Sequence, residues 1–486
     1  MKPLDSKMLD LLWSDWAARE ERIRQIITDV LTESPPPVLD DSITATYFVA
    51  GRSLKLDAAA DSYTYHATSG VKNPPAGSLL AACTSKTVGM VPFDATGRIG
   101  IIHLAFPLKM MLHPDGTLTA LDILHTVAGP IMFDVYESVD CRLCAVQIPD
   151  RIIRTFPGPA HGPAGMRKMT GFAPDQPAFG TILKPTAGIT PDIVGALVEE
   201  AARCPLFMFI KEDENLYPDL DYSPAADRAR QAVAAIERAK NERGGLGLIF
   251  APHVSGSPHQ IMDTVFAVLE AAKCGTGSPQ SLVAAATISP ATAGRPEADF
   301  QPVGVMFSET FAGGTVRMVR EKTRHLPNPP AIYGHNAGIC TRTPRIWREV
   351  IDLLARLEGI DFRQTSPVRP GAPFLLPYGQ EWMASEEVLS RPLPGINPTM
   401  IVRAGGLDQG NIILNLADVE QRGRTEGTLF LAGSAINSIK NAAGKADPRL
   451  GSEAMMQAIE VHRSGELRDV PMDDHLKALV AVAERS

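Results

Sequence analysis

The stretch PLFMFIKEDEN, from Pro205 to Asn215, joins a run of apolar residues directly to one lysine and three carboxylates. Such an apolar run predicts a buried strand, so the charged groups stand together at its carboxyl end. Mg²⁺ prefers oxygen ligands and usually takes one or two protein carboxylates, with water and substrate in its other positions. The stretch therefore predicts a magnesium site, and a solvated charge cluster at a strand end is the alternative.

Lys211 is an unexpected member of this cluster. At its ordinary pKa of about 10.4 a lysine is a cation, which repels a metal ion. A carbamate formed with CO₂ converts the same side chain into an anionic oxygen ligand. We therefore predict a set of three anions, carbamylated Lys211, Asp213 and Glu214, around Mg²⁺.

The composition, with 44% hydrophobic and 21% charged residues, is that of an ordinary globular protein. A formal net charge of −8 and the lack of basic runs argue against nucleic-acid binding. No apolar run approaches the length of a membrane span, and the amino terminus does not have the pattern of a signal peptide. Six cysteines are too few for a disulfide scaffold in a chain this long, which predicts a cytoplasmic protein. Cys141 and Cys144 have apolar neighbours and are predicted to pack in a strand rather than to bind zinc.

Two regions precede the barrel predicted below. Residues 5–33 have the pattern of an amphipathic helix that ends at a run of prolines, so we assign residues 1–41 to a helical extension. Residues 42–162 are rich in strand patterns, with strands predicted at 44–50 and 101–107, and form an α+β domain.

From residue 163 to residue 486, short apolar strands alternate with capped helices, and this alternation predicts a (β/α)₈ TIM barrel with helices at its carboxyl end. Residues 276–302 interrupt the pattern as an insertion rich in Ala, Ser, Thr and Pro, which we predict to be a surface loop. The eight strands are predicted to begin near Phe179, Pro205, Leu246, Val303, Ala331, Ile360, Thr399 and Thr428.

The carboxyl ends of barrel strands carry the chemistry of TIM-barrel enzymes. A single lysine or histidine at a strand end is usually solvated or structural, but polar groups on successive ends of one barrel indicate a site. Besides the Lys211 cluster, the ends of the first six strands carry Lys184, His253, Ser308-Glu309, His335-Asn336 and Gln364.

Glycines end the last two strands, with Gly405-Gly406 after the seventh and Gly433-Ser434 after the eighth. Backbone N–H groups approach a phosphate closely only where no side chain intrudes, and TIM barrels often bind phosphate at these two loops. The pairs predict a phosphorylated ligand, and ordinary turns are the alternative.

Three motifs in this order resemble the large subunit of ribulose bisphosphate carboxylase (RuBisCO). They are Ile148–Gly162, which contains RTFPGPAHG, then GTILKP at Gly180–Pro185, and Lys211–Glu214. The resemblance runs from about residue 42 to residue 464. It implies a homodimer or larger homo-oligomer.

The resemblance also implies roles for matching positions. Lys211, Asp213 and Glu214 match the carbamylated lysine and the two carboxylates that hold Mg²⁺, while Lys184 matches an acid/base lysine and His335 a histidine that contacts substrate hydroxyls. The positions that match phosphate-binding backbone are Gly405, Gly406 and Gly433, with Ser434 beside them.

Several positions depart from the family pattern. Asn336 stands where the family has an arginine that grips the second phosphate of a bisphosphate, and no lysine occurs between Asp361 and Met400, where a mobile lysine stabilises the carboxylated intermediate. Losing that cation removes electrostatic stabilisation that CO₂ fixation needs. The chain therefore looks like a RuBisCO-like protein rather than a carboxylase. The other departures are Thr186, Gln364, Ala404 and, in place of a glutamate in the amino-terminal domain, Cys83.

These features predict Mg²⁺-dependent enolisation of a phosphorylated keto-sugar or diketone, as by an enolase or isomerase, without CO₂ fixation. One alternative is a decarboxylase or transcarboxylase of a branched 3-oxo-acid sugar phosphate, as in apiose breakdown, because it uses the same enolate. Another is a non-catalytic binding or structural homologue. Arg363 and Arg369, near the sixth strand end, are predicted to lie on the surface rather than to replace the missing phosphate contacts.

Overall fold

The amino-terminal part of the fold is a helix followed by a four-stranded sheet and its helices. The computed structural model describes residues 6–134, 138–274, 304–307, 314–336, 345–368, 381–442, 444 and 447–464. The four strands pair antiparallel in the order β2-β3-β1-β4. The elements are α1 (Ser6–Glu33), β1 (Ser42–Gly51), α2 (Leu56–His66), α3 (Leu79–Ala82), β2 (Lys86–Pro92), β3 (Ile99–Pro107), a 3-10 turn (Leu108–Met110), α4 (Ala120–Asp134) and β4 (Ser138–Gln147).

Helices α5 (Asp150–Ile153) and α6 (Gly162–Thr170) lead into the barrel. The barrel elements, in chain order, are β5 (Ala178–Ile182), α7 (Pro191–Ala202), β6 (Phe207–Lys211), β7 (Asp219–Leu220), β8 (Ser223–Pro224), α8 (Ala225–Ala239), β9 (Ile249–Ala251), α9 (Pro258–Cys274), β10 (Gly304–Phe307), α10 (Thr315–Thr323), β11 (Ala331–Gly334), α11 (Arg348–Glu358), β12 (Phe362–Thr365), α12 (Glu381–Ser390), β13 (Met400–Ala404), α13 (Ile412–Gln421), β14 (Thr428–Ala432), α14 (Ser434–Asn437) and α15 (Pro448–Ser464).

Eight of these strands form one sheet in the order β10-β11-β12-β13-β14-β5-β6-β9, and all recorded pairings are parallel. Strands β9 and β10, at the two ends of this order, lie against each other, so the sheet curls round into a barrel. The predicted (β/α)₈ barrel is confirmed, and each strand begins within three residues of its predicted start. The helix predicted at residues 5–33 is also confirmed, as α1.

The barrel interior is filled by large apolar side chains from successive strands. The ring of Phe209 lies 5.3 Å from that of Tyr333 and 4.8 Å from that of Phe362, measured between centroids. Side chains alternate between the two faces of a strand, so the residue two positions after Phe209 shares its inward direction. That residue is Lys211, which the strand therefore delivers to the barrel mouth.

One apolar core joins the sheet domain to α11 of the barrel. Strand β4 is joined to the segment before α11, where Leu143 N–H donates to Arg345 O at 2.8 Å and Trp347 N–H donates to Leu143 O at 2.9 Å. Because the core crosses the predicted boundary at residues 162 and 163, this division, like the one at residues 41 and 42, stays a prediction.

Cys141 and Cys144 lie buried in β4, in agreement with the predicted strand packing. Burial raises the pKa of the Cys141 thiol to about 11, so it stays protonated at neutral pH. Within the described ranges, none of the helices is both long and apolar enough to cross a bilayer.

Candidate active site

Three strand ends bring five of the predicted site residues together at the barrel mouth. Lys184 Nζ, after β5, donates to Asp213 Oδ2 at 2.5 Å. Lys211 Nζ, at the end of β6, lies 3.6 Å from Glu214 Oε2. His335 Nε2, after β11, lies 3.5 Å from the same Glu214 oxygen. The sequence placed these groups on strand ends, and the folded chain places them within contact distance of one another.

Lys211 is fully buried, unlike an ordinary solvated lysine. Burial lowers the pKa of its ammonium to about 8, although the nearby carboxylates of Glu214 and Asp213 oppose the shift. Its Nζ donates to Glu212 O at 2.9 Å and lies 5.6 Å from the centre of the Tyr333 ring. A lysine whose positive charge is destabilised in this way has an amine that reacts readily with an electrophile such as CO₂.

The donor set at the mouth fits Mg²⁺ when Lys211 is carbamylated. In the described part of the chain, no three His, Cys, Asp or Glu side chains are grouped closely enough to hold a metal ion. Asp213 and Glu214 supply two carboxylates beside Lys211, and a carbamate on that lysine would add a third anionic oxygen ligand. With Lys211 as an amine, the Lys184 ammonium lies against Asp213 and balances its charge.

Glu212 points away from the mouth, because side chains alternate along the strand direction. Its two oxygens accept from Arg228 Nε at 2.6 Å and Arg228 Nη2 at 2.8 Å, and both side chains are fully buried. The His253 N–H also donates to Glu212 Oε2 at 2.9 Å. Only two of the three carboxylates therefore face the site, and the third anchors the end of β6 to α8 and β9.

His253, at the end of the third barrel strand, is held by a backbone carbonyl. Its Nδ1 lies 3.1 Å from Leu216 O, and since a carbonyl only accepts, Nδ1 carries the proton. Burial lowers the pKa of His253 to about 4, so the ring is neutral. Its Nε2 is buried and has no hydrogen-bond partner among the described residues.

His335 is neutral as well. Burial holds the pKa of its imidazole well below the usual value of 6.5, and the charges of Lys211 and Arg363 lower it further. Arg363 Nη1 donates to His335 O at 2.8 Å, and Arg363 Nε donates to Asp352 Oδ1 at 2.7 Å. The prediction that Arg363 lies on the surface is wrong: it is 2% exposed, because it faces outward from β12 into the layer covered by α11.

The loops after β13 and β14 lie side by side. Gly405 and Gly406 have φ of +95° and +73°, a region that favours glycine. Gly433 and Ser434 stand at the junction of β14 and α14. Gln409 Nε2 donates to Ala435 O at 2.9 Å and links the two loops. The structure thus brings the predicted phosphate-binding positions to one side of the mouth, and phosphate binding itself stays a prediction.

Some predicted positions lie outside the described residues. These are Ser308-Glu309 at the fourth strand end, Arg369, and the insertion at residues 276–302. Cys83 is half-buried at the end of α3. Sequence reasoning missed Tyr333, whose hydroxyl lies near the mouth; its place on β11, two residues before His335, was the available signal.

No family model matches the chain. An uncharacterized ribulose bisphosphate carboxylase-like protein of Bordetella bronchiseptica is 26% identical over 341 residues, which cover 67% of this chain and 70% of that protein. A 3-oxo-isoapionate-4-phosphate decarboxylase of Rhizobium etli is 24% identical over 397 residues, which cover 79% of this chain and 81% of that protein.

Among solved structures, the fold matches a rubisco-like protein (MtnW) from Alicyclobacillus acidocaldarius with a TM-score of 0.69 and 21% identity, over 91% of this chain and 100% of that one. These similarities span both the sheet domain and the barrel, and they agree with the motifs at the strand ends. The chain belongs to the superfamily of ribulose bisphosphate carboxylase (RuBisCO) large subunits.

Proposed function

We propose that the protein catalyses Mg²⁺-dependent enolisation of a phosphorylated keto-sugar or diketone without fixing CO₂. The observation that carries this proposal is the convergence of Lys184, Lys211, Asp213, Glu214 and His335 at one barrel mouth. Together they supply a metal-ligand set, a movable proton and a neutral hydrogen-bonding ring, which are the requirements for enolate chemistry.

In this proposal carbamylated Lys211, Asp213 and Glu214 hold Mg²⁺, which when bound polarises a substrate carbonyl. The side-chain nitrogen of Lys184 takes the proton from the carbon beside that carbonyl, and the electron pair of the broken C–H bond becomes the enolate. In an isomerisation, the Lys184 ammonium then returns the proton to the former carbonyl carbon, while the hydroxyl proton of the adjacent carbon passes to the former carbonyl oxygen. His335, neutral because it is buried, orients the substrate hydroxyls through hydrogen bonds.

The absence of carboxylation rests on the sequence after β12. There is no lysine between Asp361 and Met400, so that loop supplies no ammonium to stabilise a newly formed carboxylate. Phosphate binding by Gly405, Gly406, Gly433 and Ser434 completes the proposal, because the three glycines carry no side chain that would block the approach of an anion to the backbone. The homo-oligomer implied by the family also stays a prediction.

A second candidate function is decarboxylation of a branched 3-oxo-acid sugar phosphate. The relative from Rhizobium etli, named as a decarboxylase of 3-oxo-isoapionate 4-phosphate, favours it. Breaking the bond to the carboxyl group releases CO₂ and leaves its electron pair as the same enolate, which Lys184 then protonates. A non-catalytic homologue is less well supported, because the chain retains Lys184 and the metal-ligand set.

The test is incubation in D₂O with Mg²⁺ and bicarbonate, using a panel of keto-sugar phosphates and 3-oxo-acid sugar phosphates. Mass spectrometry follows deuterium incorporation and released CO₂. Deuterium without CO₂ is the expected result, and CO₂ from an oxo acid selects the second candidate. The Lys184→Met variant should bind Mg²⁺ as the wild type does and lose exchange by a factor of about 10² to 10⁴. Exchange that persists in this variant removes Lys184 from the mechanism.

A further inference from the structure

One side-chain amide joins the loop after β14 to the end of β5. Asn437, the last residue of α14, is 7% exposed, and its Nδ2 donates to Gly433 O and to Ile182 O, both at 2.9 Å. The same nitrogen lies 3.2 Å from Thr181 Oγ1, which donates its own hydrogen to Ala432 O at 2.8 Å. Asn437 therefore ties the loop that carries Gly433 to the strand that leads to Lys184.

The peptide unit between Ile182 and Leu183 continues this connection to β6. Its carbonyl accepts from Asn437, and its N–H donates to Lys211 O at 2.9 Å. Lys184 follows this peptide unit directly along the chain. A displacement of the peptide unit would therefore move Lys184 relative to the metal-ligand set at the end of β6.

Helix α14 is also held by the loop after β13 and by α15. Gln409 Nε2 donates to Ala435 O at 2.9 Å. Behind α14, the backbone of α15 approaches so closely that a Cβ added to Gly451 would clash with the carbonyl oxygen of Ile436. Because these contacts fix α14, Asn437 transmits to β5 the position that the loop at Gly433 adopts.

The hydrogen bonds of Asn437 thus join two parts of the proposed mechanism. Gly433 belongs to the proposed phosphate-binding positions, and Lys184 is the group that moves the substrate proton. Binding energy from a part of the substrate remote from the reacting atoms raises kcat when it orients the catalytic groups. A side chain that holds both the phosphate loop and the strand end of Lys184 provides a physical route for that effect.

We infer that Asn437 is a positioning residue, which couples phosphate contact at Gly433 to the placement of Lys184. The phosphate of the substrate then promotes proton transfer as well as binding. This inference rests on the proposed function, since it takes the phosphate to lie on the loop after β14 and Lys184 to move the proton.

Asn411 provides a matched control. Its Nδ2 donates to Gly406 O at 2.9 Å, so its amide holds the other proposed phosphate loop as that of Asn437 holds the loop at Gly433. Its Oδ1 accepts from Asp408 N–H at 3.0 Å. Both of these hydrogen bonds stay within the loop after β13, whereas those of Asn437 reach β5.

The experiment is hydrogen–deuterium exchange with mass spectrometry, with inorganic phosphate as the probe and Mg²⁺ and bicarbonate present. In the wild type, phosphate should slow amide exchange in residues 405–411 and 433–438 and, by about threefold to tenfold, in residues 182–187. Asn437→Ala should retain the slowing in residues 405–411 and lose it in residues 182–187. Asn411→Ala should retain it in residues 182–187.

The change caused by phosphate separates coupling from a merely structural contact. If Asn437 only stabilised β5, its loss would speed exchange in residues 182–187 equally with and without phosphate. A change that stays as large in Asn437→Ala as in the wild type overturns the inference. A wild type in which phosphate protects both loops but not residues 182–187 overturns it too, and this result requires no variant to fold.

Thr181→Val is a milder variant, because it keeps the shape of the side chain and leaves both carbonyl acceptors of Asn437 in place. It should reduce the effect of phosphate on residues 182–187 by about twofold. With a keto-sugar phosphate whose proton exchanges, Asn437→Ala should lower kcat by about tenfold and change KM by less than about threefold. Asn411→Ala should mainly raise KM.

The failure of this inference and that of the proposed function are distinguishable, because amide exchange is measured without turnover. A phosphate effect on residues 182–187 that depends on Asn437, in a protein that exchanges no substrate proton, contradicts only the proposed enolisation. Substrate exchange without that effect contradicts only the inference. Phosphate that protects neither loop counts against the inference, because the coupling begins with phosphate contact at Gly433.

Discussion

Two buried cations lose the hydration of their charge: Lys211 at the barrel mouth and Arg142 at the junction of β4 with α1. Their pKa values nevertheless shift in opposite directions. Burial lowers the pKa of Lys211 to about 8. Burial alone would also lower the pKa of Arg142, but hydrogen bonds and charge from Asp140 and Glu20 outweigh it and raise that pKa. Lys211 is fully buried and Arg142 is 4% exposed, so the extent of burial does not explain the difference.

The difference lies in the partners. Arg142 donates to both oxygens of Glu20, at 2.5 and 3.0 Å, and its Nε donates to Asp140 at 2.8 Å. Lys211 Nζ lies 3.6 Å from Glu214 Oε2, an oxygen that also lies near His335, and Nζ donates to the neutral carbonyl of Glu212 at 2.9 Å. Directly hydrogen-bonded, bidentate partners stabilise a buried charge far better than a longer contact does. The junction therefore retains its charge, whereas burial outweighs the carboxylates at the mouth and destabilises the charge of Lys211.

The largest expected effect is at the mouth. Lys211→Ala removes the proposed carbamate ligand, so Mg²⁺-dependent deuterium exchange should fall to the uncatalysed level while the circular dichroism spectrum stays unchanged. The carbamate signal in ¹³C NMR with labelled bicarbonate should disappear as well. Lys240→Ala is the matched control, since Lys240 is 48% exposed directly after α8 and its loss should leave both readouts intact. Full activity in Lys211→Ala would remove the carbamate from the proposal.

At the junction the expected effect is on stability rather than activity. Arg142→Met leaves the Glu20 carboxylate buried without its bidentate partner, which should lower the free energy of unfolding by about 3 to 5 kcal/mol. The measurement is urea unfolding. Arg19→Met is the control, because Arg19 is 65% exposed and lies 3.6 Å from the same glutamate, so its loss should cost less than about 1 kcal/mol. Equal losses in the two variants would contradict the comparison.

The smallest expected effect concerns Glu358, a buried carboxyl where α11 meets the start of α4. Its Oε1 accepts from Ala120 N–H at 3.3 Å, and burial raises its pKa to about 7, with Arg317 opposing the shift and Glu321 and Asp122 adding to it. A raised pKa in the folded state means that this group stabilises the fold below about pH 4.5 and that the contribution is lost as the pH rises through 7.

Glu358→Gln keeps the hydrogen-bond acceptor and removes the titration. Relative to the wild type, its free energy of unfolding should therefore rise between pH 5 and pH 8, by at most about 3 kcal/mol. Urea unfolding at several pH values measures this difference. A difference that does not change with pH would show that Glu358 is not a buried titrating group.

Much of the site was predictable because strand periodicity is a local property. The apolar run before Lys211 fixes a strand, and the period of two then places Lys211 and Asp213 on the face that carries Phe209. The same rule assigns Glu212 to the opposite face. Its partner Arg228 was not predictable, because the contact depends on how α8 packs against β6.

Sequence patterns alone therefore determined the eight barrel strands, the first helix and the polar groups at the strand ends, since these depend on residues that are neighbours along the chain. The tertiary structure alone decided that Lys184 and His335 meet the Lys211 cluster, that Arg363 turns into the layer beneath α11, and that hydrogen bonds link Tyr333 to Gln364 and Gln364 to Asn336. The physical reason is that these contacts join strands far apart in sequence, and barrel closure with its helix packing sets which side chains come within hydrogen-bond distance.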